Sequence, residues 1–455
     1  MQASETNRPI RSWRNILIFL IPSFIGVALF MVPVPVEDGL TIPIAILAEH
    51  IKALLGDSMS SVITSVVVIA TLASVFTKLV APNWVTRDPF LNALLNVSPV
   101  WFVVRLLGAA FILMTYFQIG PVEIYGDDTG ALVLHELMPV LLAVFMLAGL
   151  LLPLLLNFGL LELFGTLLTK IMRPIFGLPG RSAIDCMASW LGDGSVGILM
   201  TSKQYEAKFY TQREAAVIGT TFSAVSITFC LVVIAQVKLE YLFVPFYLTV
   251  CAAGFAAAVI VPKLPPLRWK KDCYIDESPR TADHEMIPQN HHVLSWGLEQ
   301  ALTKASHIKS VRQVIGEGLK NAVDMVFGVL PVVMAIGTVA LMIATYTEIF
   351  EYLGKPFLPL LELMQIPEAE AASKTIMVGF ADMFIPSILA SSIESELTRF
   401  VIAAMSVTQL IYMSEVGALL LGSKIPVKLW ELFVIFVLRT LVTLPVICLM
   451  AHLIL

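Results

Sequence analysis

The sequence predicts an all-α, polytopic membrane protein of about nine transmembrane helices plus two re-entrant helical hairpins, arranged as an inverted internal repeat. Three observations predict it. Hydrophobic residues make up 58% of the 455 and charged residues only 14%, against roughly a quarter charged in a soluble domain. Apolar stretches of about 18 to 25 residues, each long enough to cross a bilayer core as a helix, recur along the chain. Finally, a set of landmarks in the first half returns in the same order in the second.

The apolar stretches read as spans at Ile16–Val34, Val62–Val80, Val100–Gln118, Leu137–Asn157, Glu214–Gln236, Tyr241–Pro262, Val323–Tyr346, Phe400–Leu421 and Leu429–Leu453. The first follows Arg8, Arg11 and Arg14, as a signal peptide would, but the segment 32–39 (VPVPVEDG) offers no small-x-small cleavage site. It is expected to stay as a membrane helix. Cys186, Cys230, Cys251, Cys273 and Cys448 are scattered without the spacing of a disulfide framework or metal site. The net charge of −5 does not suggest nucleic acid.

Basic residues gather in the N-terminal tail, around Lys78–Arg105, around Lys170–Arg181, in Lys263–Lys320 and at Lys424–Lys428. The positive-inside rule makes these segments cytoplasmic. Val36–Asp57, Pro121–Glu136 and Glu348–Glu370 are acid-rich and read as outside loops. Nine spans in a bacterial inner membrane then put the N-terminus in the cytoplasm and the C-terminus in the periplasm.

Lys170–Arg181 and Lys203–Arg213 both read as cytoplasmic, yet apolar Ser182–Thr201 lies between them. That stretch must enter and return on one side. Gly192-Asp193-Gly194 in its middle suits two half-helices meeting at a tip. Non-helical backbone at that depth must be buried in protein or line a wet cavity.

Glu162-Leu163-Phe164, Lys170, Pro174, Pro179, Gly192-Asp193 and Ile198-Leu199 return as Glu348-Ile349-Phe350, Lys355, Pro359, Pro367, Ala381-Asp382 and Ile388-Leu389. The loop charges give the two copies opposite orientations. The expected organisation is an N-terminal three-span segment 1–130, a first repeat 131–262, a cytoplasmic polar linker 263–320 and a second, inverted repeat 321–455. Inverted repeats with discontinuous helices are a recurrent build of secondary transporters, with the site at the repeat interface.

Residues 178–200 (LPGRSAIDCMASWLGDGSVGILM) and 219–229 (GTTFSAVSITF) resemble the nucleoside-recognition, or Gate, family in its YjiH-type membrane branch. The order of elements is also similar to that of concentrative nucleoside transporters, which implies a homotrimer. Gly192-Asp193-Gly194-Ser195 stands where those transporters carry a Gln-Thr-Glu type of signature, a departure that bears on nucleoside as the substrate.

Asp193 and Asp382 occupy matching tips, and an ionisable residue at membrane depth is costly enough to suggest function. Capping of the returning half-helix is the competing account. Ser195 and Ser387 follow the tips, where half-helix N-termini offer N–H groups to a solute; helix-to-helix hydrogen bonding is the alternative. Ser223, Ser226, Thr408 and Gln409 are further solute-binding candidates on the polar spans. Glu415, with Ser414, is the candidate for a coupling sodium ion or proton; Arg439 would instead neutralise Glu415 in an ion pair. His135-Glu136 starts like a zinc-protease helix but lacks the second histidine, so the start of a span is the better account. His284, His291, His292 and His307 cluster in the polar linker, which reads as solvated, with Val311, Ile315 and Leu319 forming an amphipathic lead into the seventh span.

The expected function is secondary-active transport of a small polar solute, a nucleoside or nucleobase being one class, coupled to sodium or protons. No phosphate-cradling Gly-x-x-x-x-Gly-Lys motif is present. The alternative is a non-transporting membrane sensor or assembly component. No cofactor, metal or enzymatic activity is expected; the expected partners are the solute, membrane lipid and either further copies in a homotrimer or a second membrane subunit.

Overall fold

Hydrophobicity of this extent commits the backbone to helices, because only internally satisfied hydrogen bonding survives in lipid. The computed structural model describes residues 12–32, 34–36, 39–191, 194–222, 225, 227–280, 292–308 and 310–455. Among these, seven helical stretches are long and apolar enough to cross a membrane: Trp13–Phe30, Ile46–Val80, Pro99–Phe117, Leu132–Leu156, Glu240–Lys263, Val311–Tyr346 and Leu429–Ile454. The chain is a multi-pass, all-α membrane protein; among the described residues its β-structure is a short hairpin pairing Val34–Val36 with Gly39–Thr41 and one isolated bridge.

The main elements are α1 (Trp13–Met31), α2 (Pro43–Leu55), α3 (Met59–Val80), α4 (Pro99–Phe117), α5 (Met138–Leu151), the amphipathic α6 (Leu160–Phe176) and the hairpin arms α7 (Ser182–Leu191) and α8 (Gly194–Glu206). Then come α9 (Gln212–Val217), α10 (Ile227–Gln236), α11 (Phe243–Ile260), α12 (Val293–Ser306) and α13 (Val311–Tyr346). The chain closes with α14 (Ala369–Ile376), α15 (Ile385–Ala390), α16 (Glu396–Gln409), α17 (Val416–Gly422) and α18 (Leu429–Ile454).

Three sequence expectations change. The acid-rich segment 36–57 is mostly the helix α2 rather than a loop. The polar linker contains α12, which packs on α6 and buries Ala301, Leu302 and Ala305 against Phe19 of α1. The amphipathic lead is continuous with the seventh span, giving the 36-residue α13, because no helix-stopping residue separates them. Linker residue Asp276 receives Lys208 at 2.5 Å. That bond, with a second from Ser278, holds its exposed carboxyl below the usual carboxylate range.

The fourth difference matters most. The expected spans Glu214–Gln236 and Phe400–Leu421 are not continuous helices. The first passes from α9 into a π-wound turn at Ile218–Phe222; among the described residues Val225 then lies outside any helix, and α10 begins at Ile227. The second stops at Gln409; Leu410 has φ 62°, and helix resumes at Val416. A leucine in that backbone region is strained and persists only where its surroundings hold it.

The long helix α13 is the packing hub, and glycine brings its neighbours close. A Cβ on Gly108 of α4 would lie 2.1 Å from the Pro331 oxygen, and one on Gly149 of α5 would lie 2.4 Å from Ala322 Cα. Without hydrophobic drive between helices in lipid, such close approach supplies the packing energy. Gly149→Val is expected to lower the unfolding temperature in detergent, since overpacking costs about 1–3 kcal/mol against a helix-propensity gain of under about 1 kcal/mol. Gly316→Ala, whose Cβ meets nothing within 4 Å, is the control and should be neutral or stabilising.

Candidate functional site

The arms α7 and α8 pack against each other. Asp185 of α7 accepts from Thr201 Oγ1 (2.9 Å) and Gln204 Nε2 (2.8 Å) of α8, and a Cβ on Gly197 would touch Ser189 at 2.7 Å. Tyr210 OH, beyond the hairpin, also donates to Asp185 Oδ2 at 3.1 Å. Sequence reasoning passed over this buried carboxylate, although the cost argument applied to Asp193 would have found it. Asp193 itself, with Ser223, Ser226, His284 and His291, lies outside the described residues. Ser195 is fully buried in the first turn of α8.

The second hairpin, formed by α14 and α15, is shorter. It closes at its base through Thr398 Oγ1 to the Pro367 carbonyl (2.6 Å) and the Ser395 amide to Glu368 Oε1 (2.9 Å). At the other end, Asp382 Oδ1 accepts the Phe384 amide at 2.8 Å and the Ile385 amide at 3.4 Å, capping α15. Its Oδ2 accepts Ser414 Oγ at 2.6 Å. One side chain therefore caps the returning half-helix and contacts the interruption between α16 and α17.

That interruption lies along the hairpin. The Met413 amide donates to the Phe380 carbonyl (2.8 Å) and the Ser414 amide to the Ala381 carbonyl (2.9 Å). Gln409 Nε2 bonds the Ile376 carbonyl and Thr440 Oγ1, both at 3.0 Å, while Gln409 Oε1 is buried without a hydrogen-bond partner among the described residues. It lies so close to Gly379 that a Cβ there would approach it to 2.2 Å. Among the described residues the Ser387 hydroxyl bonds back only to the carbonyl of Phe384, which precedes its own short helix.

Arg439 of α18 joins the two broken helices. Its guanidinium donates to the Thr408 carbonyl through Nε (3.0 Å) and Nη2 (2.6 Å), and through Nη1 to the carbonyls of Thr220 (3.1 Å) and Thr221 (3.0 Å). The residue is 2% exposed. The alternative Arg439–Glu415 ion pair is thus not formed: main-chain carbonyls take the guanidinium, and Glu415 accepts Tyr412 OH at 3.1 Å. The Thr408 carbonyl is available because its helix stops at Gln409. Further contacts join the halves: Phe229 of α10 meets Phe384 edge to face at 6.0 Å, and Gly219 lies under Leu420.

The structure therefore brings Asp382, Ser414, Thr408 and Gln409 into one bonded region. Ser387 stands one helical turn away, and Glu415 turns to its own neighbour Tyr412. His135, at the start of a span as expected, meets Ser60 Oγ at 2.9 Å.

Arg439→Met should leave three buried carbonyls without donors, at about 1–3 kcal/mol each, and so reduce both the unfolding temperature and the yield of folded protein. Arg439→Lys is expected to recover only part of the loss, because an ammonium cannot reproduce the planar fork. Equal stability of Arg439→Met and wild type would remove Arg439 from this role.

A family model described as Gate, nucleoside recognition, matches residues 138–240. An uncharacterized protein of Alkalihalophilus pseudofirmus is 50% identical over 438 residues, covering 96% of this chain and 94% of its own. No solved structure matches the chain.

Proposed function

The chain belongs to the Gate, or nucleoside-recognition, family of membrane proteins, and from that premise we propose that it is a secondary-active transporter of a small polar solute. The observation that carries this reading is the convergence of two interrupted helices on one buried guanidinium. Interrupted helices at membrane depth are the recurrent means by which transporters present backbone and side-chain groups to a solute or ion.

In this reading the two broken helices complete nine crossings, with the N-terminus cytoplasmic and the C-terminus periplasmic in a bacterial inner membrane. The segments 131–262 and 321–455 are the inverted repeats, following 1–130 and separated by 263–320. Support for the repeat comes from the counterpart positions of the breaks and from a hairpin preceding each. Asp382 and Ser414 hold the coupling sodium ion or proton, or a polar group of the solute, and Gln409 Oε1 is an acceptor awaiting a donor. Asp193, Ser195, Ser223, Ser226, Ser387 and Thr408 complete the solute path, and Glu415 lies at its edge. A nucleoside or nucleobase is the substrate class, on the family's description.

The test is uptake of labelled nucleosides and nucleobases into proteoliposomes under a sodium or a proton gradient. One solute class should accumulate, and Asp382→Asn should cut its uptake about tenfold or more while the protein remains folded. Failure of every solute to accumulate, with Asp382→Asn indistinguishable from wild type in stability, would favour a non-transporting sensor or assembly component.

A further inference from the structure

Asp185, the buried carboxylate of the first hairpin, is 1% exposed and its hydrogen-bond partners are all neutral. The elements packed most closely on α7 are α8, α6, α1 and the π-wound turn. Their charged groups are Lys203 and Glu206 of α8, Glu162, Lys170 and Arg173 of α6, and Arg14 of α1; the π-wound turn carries none. Among the described residues none of these forms an ion pair or hydrogen bond with Asp185. Arg181, four positions before it, acts on it only at a distance and is paired with Glu162 at 3.1 Å. The other titratable neighbours are Cys186, beside it in α7, and Tyr210, with Glu214 behind Tyr210.

The hydrogen bonds around this carboxylate are short of hydrogens. Thr201 Oγ1 lies 2.9 Å from Asp185 Oδ2 and 2.9 Å from the Gly197 carbonyl, but a hydroxyl has one hydrogen to give. Tyr210 gives its single hydrogen to Asp185 Oδ2 at 3.1 Å. Gln204 Nε2 gives its two to Asp185 Oδ1 (2.8 Å) and to Tyr210 OH (3.0 Å), while Gln204 Oε1 is buried with no hydrogen-bond partner among the described residues. One further proton, on Asp185 Oδ2, corrects the shortage at Thr201. The carboxyl then donates to Thr201 Oγ1, Thr201 donates to the Gly197 carbonyl, and the bonds from Tyr210 and Gln204 persist. The same proton removes a charge that is costly to bury where no cation compensates it.

We propose that Asp185 is a proton-binding site and, in the transport reading on which this second part rests, the carrier of the coupling proton, with Asp382 and Ser414 left to the solute. Protonation holds the arms of the hairpin and Tyr210 together. Loss of the proton to water leaves an uncompensated charge between them, which favours their parting and the entry of water. The charge on Asp185 and the geometry of the first hairpin are therefore linked, as a proton-driven cycle requires.

The experiment is infrared difference spectroscopy of the full-length protein in detergent, wild type minus Asp185→Asn, over a pH series in which both stay folded. The expected result is a protonated-carboxyl band that gives way to carboxylate bands as the pH rises. Thr201→Val keeps the carboxyl but removes the acceptor of its O–H, so it should move that band in frequency; measured against wild type, it also supplies the difference if Asp185→Asn does not fold. A carboxylate that is ionised at every pH, or a band that Thr201→Val leaves in place, overturns the proposal. In proteoliposomes Asp185→Asn should let labelled solute equilibrate but cut its proton-driven accumulation about tenfold or more. Accumulation equal to wild type overturns the coupling role. The infrared measurement needs no solute, so failure of every solute to accumulate in wild type tells against transport and leaves the protonation result standing.

Discussion

The structure depends on how one guanidinium is satisfied. Arg439 sits ten residues into the 26-residue helix α18, about 15 Å along its axis, where a charge is costly unless compensated. Among the described residues no carboxylate compensates it. Three main-chain carbonyls do, from two helices far apart in sequence. Hydrogen bonds to a charged group contribute about 1.5–3 kcal/mol each, and the partial negative charge of helix C-termini adds to the attraction. The broken helices need the arginine as much as it needs them, because each interruption exposes carbonyls that lipid cannot satisfy.

This reciprocity explains how strained and unwound backbone persists here. Leu410 holds a left-handed conformation because its neighbours on both sides are tied down. Thr408 is held by Arg439, and Met413 and Ser414 by the carbonyls of Phe380 and Ala381. Asp382 then closes the arrangement from the hairpin side through Ser414. A ligand that competes for any of these bonds acts on both broken helices and the second hairpin together, which is the coupling a transport cycle requires.

The first hairpin follows a different rule. Its arms are joined by a closed cluster around Asp185, in which Thr201, Gln204 and Tyr210 all donate to the carboxylate. Its base meets the linker helix α12 at Phe209, whose ring faces the Arg181 guanidinium at 3.7 Å and the Lys304 ammonium at 5.4 Å. The hairpin therefore moves, if it moves, as a unit with its polar base, whereas the second is tied mainly by its tip. Close glycine contacts of α4 and α5 against α13 give both a fixed frame to work against.

Apolar length and charge placement were enough for the sequence to determine the membrane class, seven of the expected spans and the pairing of the two short helices 182–191 and 194–206, since these follow from local hydropathy and helix-breaking chemistry. It also singled out Asp382 and Ser414, because polar groups in apolar stretches are conspicuous. The partnership of those two residues was beyond it, as were the unwinding at 410–415, the π-wound turn at 218–222 and the use of Arg439 on carbonyls rather than on Glu415. An apolar run reads alike whether wound or unwound. Whether a helix can stop inside it depends on donors delivered from elsewhere in the chain, and only the tertiary structure decides where those donors are.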